Sequence, residues 1–159
     1  MKTRLAKSIQ FNSFGDSSVL QIKKTVIPEI KDHMTGMLLV KVSCASVNPI
    51  DSKIRSGSSF VSKNLSLPSG IGYDITGQVI KTSSDITDIK PGQIIIGMLK
   101  LDSPGSYAEY CLIERDRTII KPSTISSNIS AALPIAGLTA WQALHTLKCT
   151  PCLDSNFTF

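Results

Sequence analysis

The stretch GYDITGQVIKT, Gly72 to Thr82, sets the reading of this chain. Apolar Ile75 and Val79 fall on one side of a period of two, and threonine, glutamine and lysine lie between and after them. That alternation predicts a half-buried β-strand. Strand-like runs flank it on both sides. SVLQIKKTVIP (18–28) is rich in β-branched residues and stops at Pro28. GMLLVKVSCASVN (36–48) is a longer apolar run opened by Gly36, and KPGQIIIGM (90–98) places a Pro91-Gly92 turn before three isoleucines. SYAEYCLIE (106–114) and RTIIKP (117–122) follow as two more strands. Short strands at this spacing predict a mainly β fold, a barrel or a sandwich, rather than βαβ units. The segment from Gly57 to Gly70, rich in Ser, Gly and Asn, is expected to be a long loop.

The pattern changes after Pro122. STISSNISAALPIAGLTAWQALHTLK (123–148) does not alternate and predicts C-terminal helices over 127–148. Ser127, Asn128 and Ser130 are candidate N-caps of a first short helix. Pro134 would break that helix but suits the first turn of a second. Leu138, Trp141 and Leu144 recur every three residues and so share a face. Lys148 would close the helix, where a cation favours the dipole. The organisation expected is a β domain over 1–126, a helical linker over 127–148 and a disordered tail over 149–159.

Composition narrows the function classes. The chain has 159 residues, 42% of them hydrophobic, which is enough for a folded core. Its net charge of +5 could indicate a nucleic-acid partner, but the basic residues are scattered and the longest run is Lys23-Lys24. No nucleic-acid partner is expected. No apolar run approaches the roughly 20 residues that span a bilayer, and the N-terminus has no signal-peptide pattern. A cytoplasmic, reduced protein is the default, with Cys44 and Cys111 as small core residues. Cys149 and Cys152 form a C-x-x-C, but there is no second pair for a structural zinc and no βαβ context for redox chemistry. They read as two thiols in the tail. His33 and His145 have no partner at motif-like spacing and read as ordinary residues.

Five stretches in order carry a resemblance: SVNPIDSKIRSG (46–57), GIGYDITGQV (70–79), KPGQIIIGM (90–98), GSYAEYCLI (105–113) and AALPIAGLTAWQAL (131–144). Together they resemble the medium-chain dehydrogenase/reductase superfamily, in its zinc-independent branch of quinone oxidoreductases and alkenal reductases. The resemblance covers nearly all of residues 1 to 147. It implies a GroES-like β-barrel that shapes a catalytic cleft, followed by a Rossmann domain that binds the nicotinamide cofactor. A helix like GLTAWQAL leads into that second domain in the family. The remainder here, TLKCTPCLDSNFTF, has no G-x-G-x-x-G to approach a pyrophosphate. This chain is therefore expected to be inactive alone. A co-chaperonin shares the barrel but has no use for VNPID or GLTAWQAL.

The resemblance also names the cleft. Zinc-dependent members place a cysteine ligand where this chain has Asn48, a histidine where it has Tyr73, and a third ligand near Ile135. Asn, Tyr and Ile do not make a catalytic zinc site, so no zinc is expected. By resemblance Asn48, Lys53 and Tyr73 are the catalytic candidates, and Asn48, Lys53 and Thr139 contact NADPH. An amide both donates and accepts, so Asn48 suits a carboxamide or carbonyl; it also suits an ordinary turn before Pro49. Lys53 is either a donor to a ribose hydroxyl or a surface lysine. Asp51 between them either orients Lys53 or caps the turn, with the structural role favoured. Tyr73 is either a donor into the cleft or a rim aromatic. Thr139 either faces the nicotinamide or bonds back to its own helix. The implied reaction is hydride transfer from NADPH to a quinone or enone. The rival is a non-catalytic interaction module, a homodimer through Leu138, Trp141 and Leu144.

Overall fold

The computed structural model describes residues 4–103 and 105–146. Lys148, the Cys149 and Cys152 pair and the tail over 149–159 lie outside the described residues. The centre of the molecule is β3, Met37–Ala45, whose Leu38, Leu39 and Val40 are buried. β3 is paired on both edges, with β5 (Asp74–Thr82) on one side and β7 (Tyr110–Glu114) on the other. The sheet continues through β6 (Ile94–Met98) to an edge strand, β8 (Thr118–Ile120), in the order β7-β3-β5-β6-β8. The β3–β5 register shifts twice, between Leu39 and Val40 and between Val42 and Cys44. Gly77 sits at that irregular crossing, where a Cβ would lie 2.5 Å from the Lys41 carbonyl oxygen.

A second sheet of three strands has the order β2-β1-β4, from β1 (Leu5–Phe11), β2 (Gln21–Val26) and β4 (Ser69–Gly70). The two sheets meet where β1 runs beside the segment before β7: Ile9 N–H donates to the Tyr107 carbonyl and Glu109 N–H to the Lys7 carbonyl. All strand pairs are antiparallel. The core joins Leu38, Val40, Ile75, Val79, Ile95 and Ile113 to Ile54 and Val61 from the helical segments.

The mainly β architecture with short helices agrees with the sequence reading, and so do the strands at β2, β3, β5, β6, β7 and β8. Several details differ. β1 was not anticipated, because its inward positions include small Ala6 and polar Ser8, which weaken the alternation. The segment from Gly57 to Gly70 is not a bare loop: Phe60–Asn64 forms a 3-10 turn and Ser69–Gly70 pairs with β1. Cys111 is buried as expected, but Cys44 is only partly so, and its thiol donates to the Asn128 side-chain oxygen at 3.0 Å.

Three helices complete the chain. Helix α1 spans Pro49–Arg55, with Pro49 at its first position. Helix α2 spans Ser127–Ala131 and is capped by Ser126, whose hydroxyl accepts from Ile129 N–H. The cap therefore lies one residue before the expected Ser127. Helix α3 spans Pro134–Thr146 and begins at the proline, as the sequence suggested. Leu138, Trp141 and Leu144 on it are 47%, 62% and 48% exposed. The Trp141 indole stacks on His145, with ring centroids 6.4 Å apart.

Candidate functional site

Four chain segments converge at the start of α1. Asn48 precedes the helix, and its backbone N–H donates to the Asp51 carboxylate at 2.7 Å. An acidic residue at the third helical position commonly reaches back this way to hold the helix start. Asp51 is buried and also accepts from the Tyr107 phenol at 2.8 Å. The expected capping role of Asp51 is therefore seen, and Tyr107 is a partner that the sequence did not suggest.

The Asn48 side chain points at a second acid. Its NH2 donates to Asp74 at 2.9 Å and to the Ser46 hydroxyl at 3.1 Å. Ser46 in turn donates to Asp74 at 3.0 Å. Asp74 is fully buried, and the Ile135 N–H on α3 lies 3.2 Å from each of its oxygens. Burial holds the carboxyls of both Asp51 and Asp74 above the usual carboxylate range, against the hydrogen bonds that they accept. Among the described residues no lysine or arginine forms an ion pair with either. One oxygen of Asp51, Oδ1, is buried without a partner. The site is thus Asn48 held at its side-chain amide by Asp74 and at its backbone N–H by Asp51. Asn48 was legible in the sequence; the role of Asp74 was not, because its partner Ile135 lies 61 residues away.

The remaining candidates are spread out. Lys53 projects from α1 into solvent, and Thr139 is exposed on α3. Tyr73 is fully buried, and its phenol donates to the Leu101 carbonyl at 3.1 Å. Its hydroxyl is thus partnered within the fold. Burial also raises the Tyr73 phenol well above its ordinary value. An apolar groove of about 590 Å³ lies between α3 and the β6–β8 edge, walled by Ile96, Met98, Ile119, Leu133 and Leu138. A second groove of about 460 Å³ lies beside Phe60 and Leu101. Neither is lined by Asn48, Lys53, Tyr73 or Thr139. Among the described residues no cluster of three His, Cys, Asp or Glu could hold a metal ion. No helix among them is long and apolar enough to cross a membrane.

Comparison with known proteins places this geometry in a family. The alcohol dehydrogenase GroES-like domain matches residues 34–123, more than half of the chain. The 2-methylene-furan-3-one reductase of Solanum lycopersicum is 34% identical over 146 residues, covering 87% of this chain and 37% of that protein. The solved quinone oxidoreductase from Coxiella burnetii superposes with a TM-score of 0.87 at 42% identity, over 91% of this chain and 46% of that one. The Escherichia coli quinone oxidoreductase complexed with NADPH superposes with a TM-score of 0.76 at 29% identity, over 89% of this chain and 41% of its own. This chain spans less than half the length of each.

Proposed function

The chain belongs to the alcohol dehydrogenase GroES-like domain family, and on that premise we propose that it is the cleft-forming half of an NADPH-dependent, zinc-independent oxidoreductase that passes hydride to a quinone or enone. The observation that carries the reading is Asn48: a buried amide fixed by Asp74 and Ser46, beside the start of the helix that leads out of the barrel. Names of relatives support the substrate class, since they include a 2-methylene-furan-3-one reductase and quinone oxidoreductases. Zinc independence is supported by the residue types at the three positions, Asn48, Tyr73 and Ile135, none of which is a good zinc ligand. A cytoplasmic location remains part of the proposal, although some relatives are chloroplastic or mitochondrial.

The fit to NADPH is partial. Asn48, Lys53 and Thr139 would serve its nicotinamide end, with Lys53 and Thr139 both exposed and able to reach a ligand. The 159 residues contain no G-x-G-x-x-G loop of the kind that holds a pyrophosphate. When bound, the nicotinamide supplies the hydride, and the protein supplies orientation and hydrogen bonds. Asn48 is suited to orientation. Its amide is held in one pose, so no side-chain freedom remains to be lost on binding.

A direct test fuses this chain, after Thr146, to the part of the Escherichia coli quinone oxidoreductase that it does not match, since that protein was solved with NADPH. The fusion is expected to oxidise NADPH with a quinone acceptor, and the chain alone is expected to do neither that nor bind NADPH at micromolar concentration by calorimetry. A folded fusion that binds NADPH but reduces neither quinones nor enones would overturn the reading.

The exposed face of α3 supports a second role, a homodimer through Leu138, Trp141 and Leu144. Contiguous exposed apolar residues mark interfaces. Trp141 is the sole tryptophan, so its fluorescence reports on that face without labelling. Emission that is blue-shifted in concentrated samples and moves to the red on dilution is the expected outcome of pairing. Red emission at every concentration, with a monomer by sedimentation, removes the homodimer.

A further inference from the structure

Asp74 does something that neither the barrel nor the cleft requires by itself. It opens β5, where β6 opposes it with Met98. Its Oδ2 accepts from Asn48 and Ser46. Its two oxygens share the N–H of Ile135, the second residue of α3. The first backbone N–H groups of a helix have no partner within it. A carboxylate there satisfies a donor and also meets the positive end of the helix dipole. Asp74 therefore acts as a cap supplied from another element 61 residues away in sequence.

From this we infer that Asp74 is a positioning residue that ties the buried amide of Asn48 to the first turn of α3, so that the amide and the helix move as one body. A shift of α3 then reaches Asn48 through the Asp74 carboxylate alone, with no side chain other than that of Asp74 between them. The other contacts at this corner do not provide the same link. Thr76 and Ser130 share a hydrogen bond of 2.8 Å, and Cys44 bonds Asn128, but both of these hold α2. The link is a property of this chain; its importance for hydride transfer rests on the function proposed above.

The charges around Asp74 are few. Asp51, on α1, raises its carboxyl further, after burial as the main cause. Tyr107, from the segment before β7, faces Asp51 and responds to both acids. Ser46, just after β3, contributes a neutral hydroxyl. Asp74 is thus expected to take up its proton above the ordinary value of 3.8, and its two partners should sense that event together.

Nuclear magnetic resonance of the chain itself tests the link. In the wild type, the Asn48 side-chain NH2 and the Ile135 amide should shift with one common midpoint above 3.8 as pH is lowered. In Asp74→Ala, the amides of the first α3 turn should lose at least about tenfold in exchange protection, while those of β3 and β7 keep theirs. Two different midpoints in the wild type would overturn the inference, as would unchanged α3 protection in a folded Asp74→Ala. The wild-type titration decides the matter if that variant does not fold. Neither readout involves a cofactor, so failure here leaves the hydride-transfer reading standing, and failure of the fused enzyme leaves this one standing.

Discussion

Gly72→Ala is expected to cost the fold about 4 kcal/mol or more of its stability. Gly72 has φ of +86°, a left-handed conformation. That conformation costs an alanine about 1–2 kcal/mol. Space is the larger problem. A Cβ would lie 2.3 Å from the Ser106 hydroxyl and 2.3 Å from the ring of Tyr107. The backbone there cannot easily retreat, because the Gly72 carbonyl accepts from the N–H groups of both Gly105 and Ser106. If Tyr107 moves instead, Asp51 loses the phenol that it accepts from and keeps a buried, less satisfied carboxylate. Leaving such a group unpartnered costs about 1–3 kcal/mol or more. The combined loss is about 4 kcal/mol or more, against a total of roughly 5–15 kcal/mol for an ordinary domain. Urea denaturation measures it, as a lowered midpoint at unchanged slope. Gly92→Ala is the control. Gly92 also has a positive φ, +93°, but nothing lies within 4 Å of its added Cβ. It should lose only about 1–2 kcal/mol. Equal losses at the two positions would show that crowding against Ser106 and Tyr107 is not the cause.

The contrast between these glycines also shows what the sequence could reveal. Gly92 is legible as a turn residue from its Pro91-Gly92 pair, whereas Gly72 reads only as the start of a strand. Only the fold shows that Tyr107 presses on one of them. Strand β5 was readable because Ile75 and Val79 are large, apolar and correctly spaced, and both are buried. Strand β1 was not, because a strand that turns Ala6 inward carries little periodic signal. The site divides in the same way. Asn48 and Asp51 lie three residues apart on one short helix start, so local rules relate them. Asp74, Tyr107 and Ile135 come to that corner from three distant segments, and no spacing rule connects them. The motif alone leaves Tyr73 as either a cleft donor or a rim aromatic; in the fold its ring is buried and its hydroxyl donates to the Leu101 carbonyl.

The second large effect is expected at Asn48. In the fused enzyme, Asn48→Ala should lower kcat by at least about tenfold, as expected for a group that orients reactants. The structure gives this variant two possible consequences, and they are separable. Removing the amide deletes a fixed polar group beside the start of α3. It also takes one hydrogen bond from buried Asp74, which keeps Ser46 and Ile135. The second consequence lowers stability, and so reduces the fraction of molecules that are folded without changing the rate of each. The first lowers the rate of every folded molecule. Turnover per folded active site, with the urea midpoint measured on the same preparation, tells them apart. Lys53→Ala should instead raise KM for NADPH at nearly unchanged kcat, because an exposed lysine at this distance from the buried network contributes binding and no orientation. His33→Ala, on an exposed turn outside the site, should alter neither constant. Should Asn48→Ala turn over like the wild type once its folded fraction is counted, the amide would be a brace for Asp74 alone. The cleft would then owe its orienting group to the other domain.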